Sequence, residues 1–218
     1  MKIDKDTVAL VTGASRGFGY ATALELAAKG AHVIAVARTV GGLEELADEI
    51  DAVGGSVTLV PLDITDDEGL QRMCLSIFER WGRLNLLVHC AAHAAPLSPV
   101  QHVSEKDLDR CWQVNARATQ RIIALCEPLL QNGTAVFIDD NHDDEKFFSA
   151  YAATKSAARQ IVSAWALETA NLAIHVVQFR PNPMPTAIRA RFFPGEKPPE
   201  LEATRNEANR LTEYLNDL

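Results

Sequence analysis

A chain of 218 residues with 47% hydrophobic and 23% charged residues can bury one sizeable core, and a single domain over residues 1–218 is expected. Its net charge of −8 argues against a general nucleic-acid or membrane-surface binder, and no apolar run approaches the roughly 18 residues that a bilayer span requires. Met1-Lys2-Ile3-Asp4-Lys5-Asp6 leads straight into the first strand, so no signal peptide is expected, and Cys74, Cys90, Cys111 and Cys126 lie in apolar-periodic segments without metal-ligand spacing, as reduced buried thiols of a cytoplasmic protein would.

Strand and helix patterns alternate along the chain. Thr7–Val11 is a short apolar strand ending in a glycine turn, and Tyr20–Lys29 is helical up to the stop at Gly30. A second strand over Ala31–Ala37 precedes a helix over about Leu43–Val53, and Val57–Leu62 is a third strand. A helix over about Asp67–Trp81 leads to a strand at Leu84–Cys90. One long helix is expected over about Ser104–Leu130, then a strand at Thr134–Ile138. A helix carrying Tyr151 and Lys155 runs to about Asn171, and Ile174–Phe179 is a sixth strand. Residues 181–200 are proline-rich and read as a substrate or specificity loop, in which Phe192 and Phe193 either cover a pocket or pack on a helix; residues 201–218 read as a polar amphipathic helix. The alternation predicts an α/β fold, a doubly wound, Rossmann-like parallel sheet with right-handed crossovers.

The turn Thr12-Gly13-Ala14-Ser15-Arg16-Gly17-Phe18-Gly19 has the spacing Gly-x3-Gly-x-Gly. Gly13 permits the tight turn, while Gly17 and Gly19 let backbone approach a pyrophosphate and let the helix pack on the sheet. The helix N-terminus then offers free N–H groups and a positive dipole end to phosphates. NAD binders commonly place an acid at the end of the second strand, and none is present here; Arg38 follows that strand, and Arg16 lies in the glycine loop. Two guanidinium groups suit a 2′-phosphate, so NADP is favoured over NAD.

Tyr151 and Lys155 are four apart and face the same way on a helix. A nearby ammonium favours phenolate and lowers a phenol's pKa toward the range of a usable acid/base.

With the glycine motif, Tyr151-x3-Lys155, Asp63 after the third strand and Asn115 in Gln113-Val114-Asn115-Ala116, the chain resembles the short-chain dehydrogenase/reductase family over nearly its whole length. The stretch Pro183-Met184-Pro185-Thr186 and beyond looks like the enoyl- and ketone-reductase-like, YciK-like bacterial members of that family. The resemblance implies a catalytic set of Tyr151, Lys155, Asn115 and Asp140. It implies a cofactor-binding set of Gly13, Ser15, Arg16, Gly17, Phe18, Gly19, Arg38, Asp63, Ile64, Ala91, Lys155, Pro181 and Thr186, with no metal. Asp63 would contact adenine, Thr186 the nicotinamide carboxamide, and Lys155 the nicotinamide ribose. Asn115 would help hold a water in a proton relay through Lys155, and Tyr151 would exchange a proton with the substrate oxygen.

Four features depart from the family pattern. A serine normally ends the fifth strand and hydrogen-bonds the substrate carbonyl; here Asp139-Asp140 takes the place of Ser-Ser, with Asp140 the best match and Asn141 a second possibility. An ionised Asp140 cannot donate, and at about 5 Å it would oppose the effect of Lys155 by roughly 3 kcal/mol at an effective dielectric of 20. Either a protonated Asp140 donates as a neutral acid, or Asp140 points away and Asn141, His142 or Ser149 supplies the donor. His89-Cys90-Ala91-Ala92 replaces Asn-Asn-Ala-Gly, where the amide usually braces the sheet, and Pro181-Asn182 replaces Pro-Gly, Asn being tolerant of left-handed backbone. The usual seventh strand, often used in tetramer contacts, is missing, leaving a homodimer through the two long helices as the assembly suggested by analogy.

The segment Asp139–Glu145 holds five carboxylates and one imidazole. It reads as a solvated loop, with His142 at the surface; a cleft for a cationic substrate and a hard-metal site are the alternatives. Arg189 and Arg191 are either solvent-exposed or contacts for an anionic substrate. The function expected is an NADP-dependent oxidoreductase moving hydride between nicotinamide and a carbonyl or alcohol of a small-molecule substrate. The alternative is an NADP(H)-binding sensor or partner-binding protein with little turnover.

Overall fold

The computed structural model describes residues 1–196 and 203–218. The sheet runs β1 (Val8–Thr12), β2 (His32–Ala37), β3 (Ser56–Pro61), β4 (Leu86–His89), β5 (Thr134–Ile138) and β6 (His175–Phe179). These strands are parallel and stand in the order β3-β2-β1-β4-β5-β6. β1, β4 and most of β2 and β5 are buried on both faces, which is why they read as continuous apolar runs. Edge strands β3 and β6 are only partly buried. Among the described residues no strand pairs with the outer edge of β6, in line with the expected loss of a seventh strand.

The period-2 alternation of β1 divides the core. Ala9 and Val11 face one layer, shared with Ala23 and Leu26 of α1 (Gly17–Ala28), with Leu43, Leu46 and Ile50 of α2 (Val40–Ala52), and with Ala208, Leu211 and Leu215 of a C-terminal helix. Val8 and Leu10 face the other layer, built from α3 (Asp67–Trp81), the helical segment 105–126 and α6 (Ser149–Glu168).

Local chemistry explains several boundaries. Asp66 caps α3 by accepting from the Gly69 amide at 3.0 Å, and Gly82, at φ 72°, ends it in left-handed backbone, so the helix spans the residues expected. α1 begins three residues earlier than expected, because the glycine turn itself supplies its first turn. The long helix expected over Ser104–Leu130 is interrupted. It comprises α4 (Glu105–Cys111), a π-helical stretch at Trp112–Arg117, α5 (Ala118–Cys126) and a 3-10 turn at Glu127–Leu129. The wider turn carries Asn115 into the interior, and Pro128, lacking an N–H, tightens the end. The loop expected over 181–200 contains α7 (Ala187–Phe192), whose first turn is capped by Thr186 accepting from the Arg189 amide at 3.2 Å; the remainder of that loop from residue 197, and the first two residues of the helix expected at 201–218, lie outside the described residues.

The last helix, α8 (Thr204–Asn216), packs along α1 and is part of the core. Its Glu207 is buried, and its two oxygens accept from the Asn182 backbone amide at 2.9 Å, the Asn182 side-chain amide at 2.8 Å and the Arg210 guanidinium at 2.7 Å. Arg210 also lies 4.4 Å over the Phe179 ring. Asn182 does not adopt left-handed backbone, contrary to its expected role as a glycine substitute; the Glu207 carboxylate holds this turn instead. α8 therefore fixes the segment that leaves β6. Truncating its fully buried Leu211 to Ala should cost about 3 kcal/mol by chemical denaturation, whereas Tyr214→Ala on the exposed face should change stability by less than about 0.5 kcal/mol.

Candidate active site

The order of the sheet reverses between β1 and β4, and a cleft of about 510 Å³ opens at the carboxyl ends of these strands. Gly13 sits at φ 70°, and a Cβ there would lie 2.9 Å from the Ala91 amide nitrogen, so only glycine lets the two loops come this close. Thr12 Oγ1 ties them further, accepting from the Ala91 amide at 3.2 Å. The position before α1 is Arg16, whose side chain does not cap the helix, so the first-turn amides remain available to an anion. Ser15, Arg16 and the backbone of Gly13 and Gly19 line the cleft, while the Phe18 ring stacks on Phe179 at 5.9 Å and anchors the turn to the core. Thr186 lies against Gly17 from the opposite side.

Arg38, Asp63 and Ile64 form the far end of the cleft with Arg110 of α4. Asp63 Oδ2 is 2.7 Å from Arg110 Nη2 and 3.7 Å from Arg38 Nη1. Burial would raise the Asp63 pKa, but the Thr65 amide and Arg110 outweigh it and hold the carboxyl below its ordinary range. Arg38 remains 58% exposed at its side chain. Arg110 was not foreseen. It stands 47 residues from its partner on an otherwise polar helix face, with no motif to mark it.

At the other end, α6 presents Tyr151 and Lys155 one turn apart. Tyr151 Oη donates to Asp140 Oδ2 at 2.8 Å, and Lys155 Nζ donates to the Ile138 carbonyl at 2.6 Å. The structure thus brings Tyr151, Lys155 and Asp140 together. Asn115 reaches them through α6: its Nδ2 donates to Thr154 Oγ1 at 3.0 Å and to the His93 carbonyl at 2.9 Å, and its Oδ1 accepts from the His93 amide at 2.8 Å. The Asn115 amide is fully used as a brace between the loop after β4 and α6.

The electrostatics reverse one expectation. Lys155 was expected to lower the Tyr151 pKa; burial and then the Asp140 carboxylate instead push the phenol well above its ordinary value. Burial also lowers the Lys155 pKa, partly opposed by Asp140. Burial would raise the pKa of Asp140, yet hydrogen bonds from His142 and Tyr151, with the charge of Lys155, bring it below the usual carboxylate range. Asp140 does not point away from the tyrosine: it accepts the Tyr151 hydrogen bond, and its lowered pKa favours the carboxylate over the neutral acid.

The loop is exposed at Asn141 and over 143–145, as a solvated loop would be, while Asp139 and His142 are buried, and Asp139, Asp140, Asp143 and Glu145 have partners. Asp139 is buried between Arg159 at 3.2 Å and Arg180 at 3.1 Å, and Asp143 accepts from Arg159 and Ser156, each at 2.6 Å. His142, expected at the surface, is only 6% exposed. Its ring stacks on Phe148 at 4.2 Å, with Nε2 3.1 Å from Asp140 Oδ1 and Nδ1 2.7 Å from Glu145 Oε1. Burial alone would lower its pKa, but the two carboxylates reverse the sign and raise it. The loop enters α6 through Phe147, whose φ of 72° is rare for a residue with a side chain, and whose carbonyl accepts from the Ser98 amide at 3.2 Å.

Other departures from the family pattern also have partners. His89 fills the place of the bracing amide: Nδ1 is 2.9 Å from Thr12 Oγ1 and Nε2 3.3 Å from Thr119 Oγ1, joining β4, β1 and α5. Burial, with Lys155 nearby, pushes its pKa down to about 3, so it braces as a neutral ring. Arg189 is half-buried and pairs with Glu196 at 2.6 Å, whereas Arg191 is exposed, one of its two expected settings, and donates to the Ala94 carbonyl. Phe192 packs on Tyr151 with ring centroids 5.0 Å apart, closing the pocket beside the tyrosine. Pro181 and Ala91 line the cleft between its two ends.

The fold recurs in known proteins. The family model described as short chain dehydrogenase matches residues 7–197. The short-chain dehydrogenase/reductase FrzI of Cladobotryum sp. is 31% identical over 195 residues, covering 85% of this chain and 73% of its own length. A short chain dehydrogenase from Shigella flexneri solved in complex with NADP superposes with a TM-score of 0.85 at 26% identity, over 94% of this chain and 89% of that one. The oxidoreductase YciK from E. coli gives a TM-score of 0.83 at 27% identity, over 93% of this chain and 86% of its own. With a family match spanning most of its length and the cleft described above, the chain belongs to the short-chain dehydrogenase/reductase family.

Proposed function

We propose that this protein is an NADP-dependent oxidoreductase acting on the carbonyl or alcohol group of a small molecule. One observation carries the reading: a single cleft has an arginine-flanked glycine cradle at one end and a buried tyrosine beside a lysine at the other. The residues present fit a dinucleotide phosphate. Gly13 clears the backbone approach, the uncapped start of α1 faces the cleft, and the end of β2 carries Arg38 rather than an acid. The cofactor, when bound, supplies or accepts the hydride.

The chain's own residues do the rest. Arg38 and Arg16 pair a 2′-phosphate, and Asp63, already held by Arg110, borders the adenine end. Thr186, against Gly17, and Pro181 line the cleft between the adenine end and Tyr151. Tyr151 Oη is the group that gives a proton to, or takes one from, the substrate oxygen. Lys155, anchored on the Ile138 carbonyl, keeps an ammonium beside this centre and meets the nicotinamide ribose. Asn115 keeps α6 in register with the loop after β4. Asp140, the best match in sequence to the family's serine, acts on the tyrosine rather than as an oxyanion donor, a reading its hydrogen bond from Tyr151 supports. Phe192 and Phe148 make the substrate end apolar.

The second reading, a binding protein with little turnover, draws on one observation: the Asp140 carboxylate occupies the tyrosine's proton and raises its pKa. Turnover separates the two. NADPH oxidation over a panel of aldehydes, ketones and quinones should be measurable, and Tyr151→Phe should abolish it while leaving NADPH affinity within about twofold. Binding without turnover across the panel would favour the second reading. Arg38→Ala should weaken NADPH binding about tenfold, the value of one charge-assisted phosphate contact, and leave NADH binding nearly unchanged in a fluorescence titration.

A further inference from the structure

Four side chains form one hydrogen-bonded line from the loop surface to the reacting centre. Glu145 Oε1 meets His142 Nδ1 at 2.7 Å, His142 Nε2 meets Asp140 Oδ1 at 3.1 Å, and Asp140 Oδ2 accepts from Tyr151 Oη at 2.8 Å. Glu145 is 44% exposed, whereas His142 is enclosed by Phe148, Phe192 and Phe193. We infer that this line is a proton conduit for Tyr151, with His142 as its ionisable reservoir. The inference rests on the reading of Tyr151 as the acid/base.

The position of the line explains the substitution at Asp140. A carboxylate in place of a hydroxyl removes a donor and adds a charge that opposes phenolate. That arrangement is costly unless a proton source stands behind the carboxylate, and the same loop supplies one two residues later. Both ring nitrogens of His142 face carboxylate oxygens, which is the geometry of an imidazolium donating twice. The ring's enclosure by aromatic side chains lowers the local dielectric and strengthens both pairs. By contrast the Lys155 ammonium donates to a backbone carbonyl, and the Asn115 amide is committed to His93 and Thr154.

In the reducing direction the balance is as follows. The substrate carbonyl carbon gains hydride from the reduced nicotinamide cofactor, and its oxygen takes the Tyr151 Oη proton. The phenolate is reprotonated through Asp140, which draws its proton from His142 Nε2. The neutral ring keeps its remaining proton on Nδ1; a tautomeric shift of that proton to Nε2 frees Nδ1, which then takes a proton from water on the Glu145 side. One proton enters per turnover, and oxidation of an alcohol runs the line in reverse. The charged groups that face His142 are Asp140 and Glu145 from its own loop; Lys155 of α6 acts on Asp140, and Arg189 of α7, paired with Glu196, acts on Asp140 and Glu145, while Asp139 and Asp143 are held by Arg159, with Arg180 also on Asp139.

The full-length protein tests this in two ways, with His142→Gln, Glu145→Gln and Asp140→Asn each checked for wild-type near-UV dichroism. In the cofactor-free protein, NMR should show His142 titrating above the ordinary histidine value of about 6.5, and Asp140→Asn should move that titration down. Phenolate absorbance, taken as a difference against Tyr151→Phe, should move when His142 is replaced. In turnover, the reduction rate should fall on the alkaline side along the His142 titration. His142→Gln should lower the rate at least tenfold and abolish that limb, with NADPH affinity unchanged within about twofold. A purely structural histidine would lower the rate equally at every pH.

A His142 titration indifferent to Asp140→Asn, or a wild-type pH profile in His142→Gln, overturns the conduit while leaving the reductase reading intact. If His142→Gln does not fold, Glu145→Gln decides by the same alkaline limb. NADPH binding without any turnover would overturn the reductase reading; mutual shifts of His142 and Tyr151 in the free protein would then support the coupled line, and independent titrations would overturn it.

Discussion

The close approach of two backbones at the reversal of strand order governs the cleft. β1 and β4 lie side by side, but their following connections leave toward opposite faces of the sheet. The turn after β1 and the loop after β4 can share the space between them only because Gly13 has no side chain to meet Ala91. From that contact follow the direction of α1, the availability of its first amides and the position of Thr12. His89 then completes the brace as a neutral imidazole that spans β1 and α5.

A second constraint is charge placement in a water-poor pocket. Carboxylates drawn out of water persist when cations or donors answer them, and this chain answers the buried Asp139 with Arg159 and Arg180, and the half-buried Asp63 with Arg110. Asp140 is answered differently, by a histidine, a tyrosine hydroxyl and a lysine across the pocket. Its carboxylate therefore joins the reacting centre to its surroundings. The high pKa of Tyr151 belongs to the cluster as a whole, because burial and the neighbouring charge act in the same direction.

The third constraint is how the chain finishes its sheet. β6 is an edge strand among the described residues, and the turn that leaves it would lack support if α8 were a loose tail. α8 instead buries Ala208, Leu211 and Leu215 against α1, and Glu207 grips Asn182 from within. One helix thus stabilises the nucleotide-side layer and sets the segment that runs past the cleft toward α7.

Much of this was legible in the sequence because its signals are local. The apolar runs Thr7–Val11 and Leu84–Cys90, the stop at Gly30, the glycine spacing and the four-residue step from Tyr151 to Lys155 each act over a turn or a strand length. They determined the parallel α/β fold and the two ends of the cleft. What only the tertiary structure decided are contacts between distant segments. Helical periodicity continues through Trp112–Arg117, so it hid the wide turn that buries Asn115. No spacing rule links Arg110 to Asp63 or Glu207 to Asn182. The run of charges at Asp139–Glu145 has the composition of a solvated loop, and most of it stays exposed; Asp139 and His142 are buried within it because arginines from α6 and the end of β6 answer the one, and rings of Phe148 and of α7 enclose the other. Sequence patterns report which residues favour water on average; whether a particular charge is buried depends on the partner that the fold brings to it.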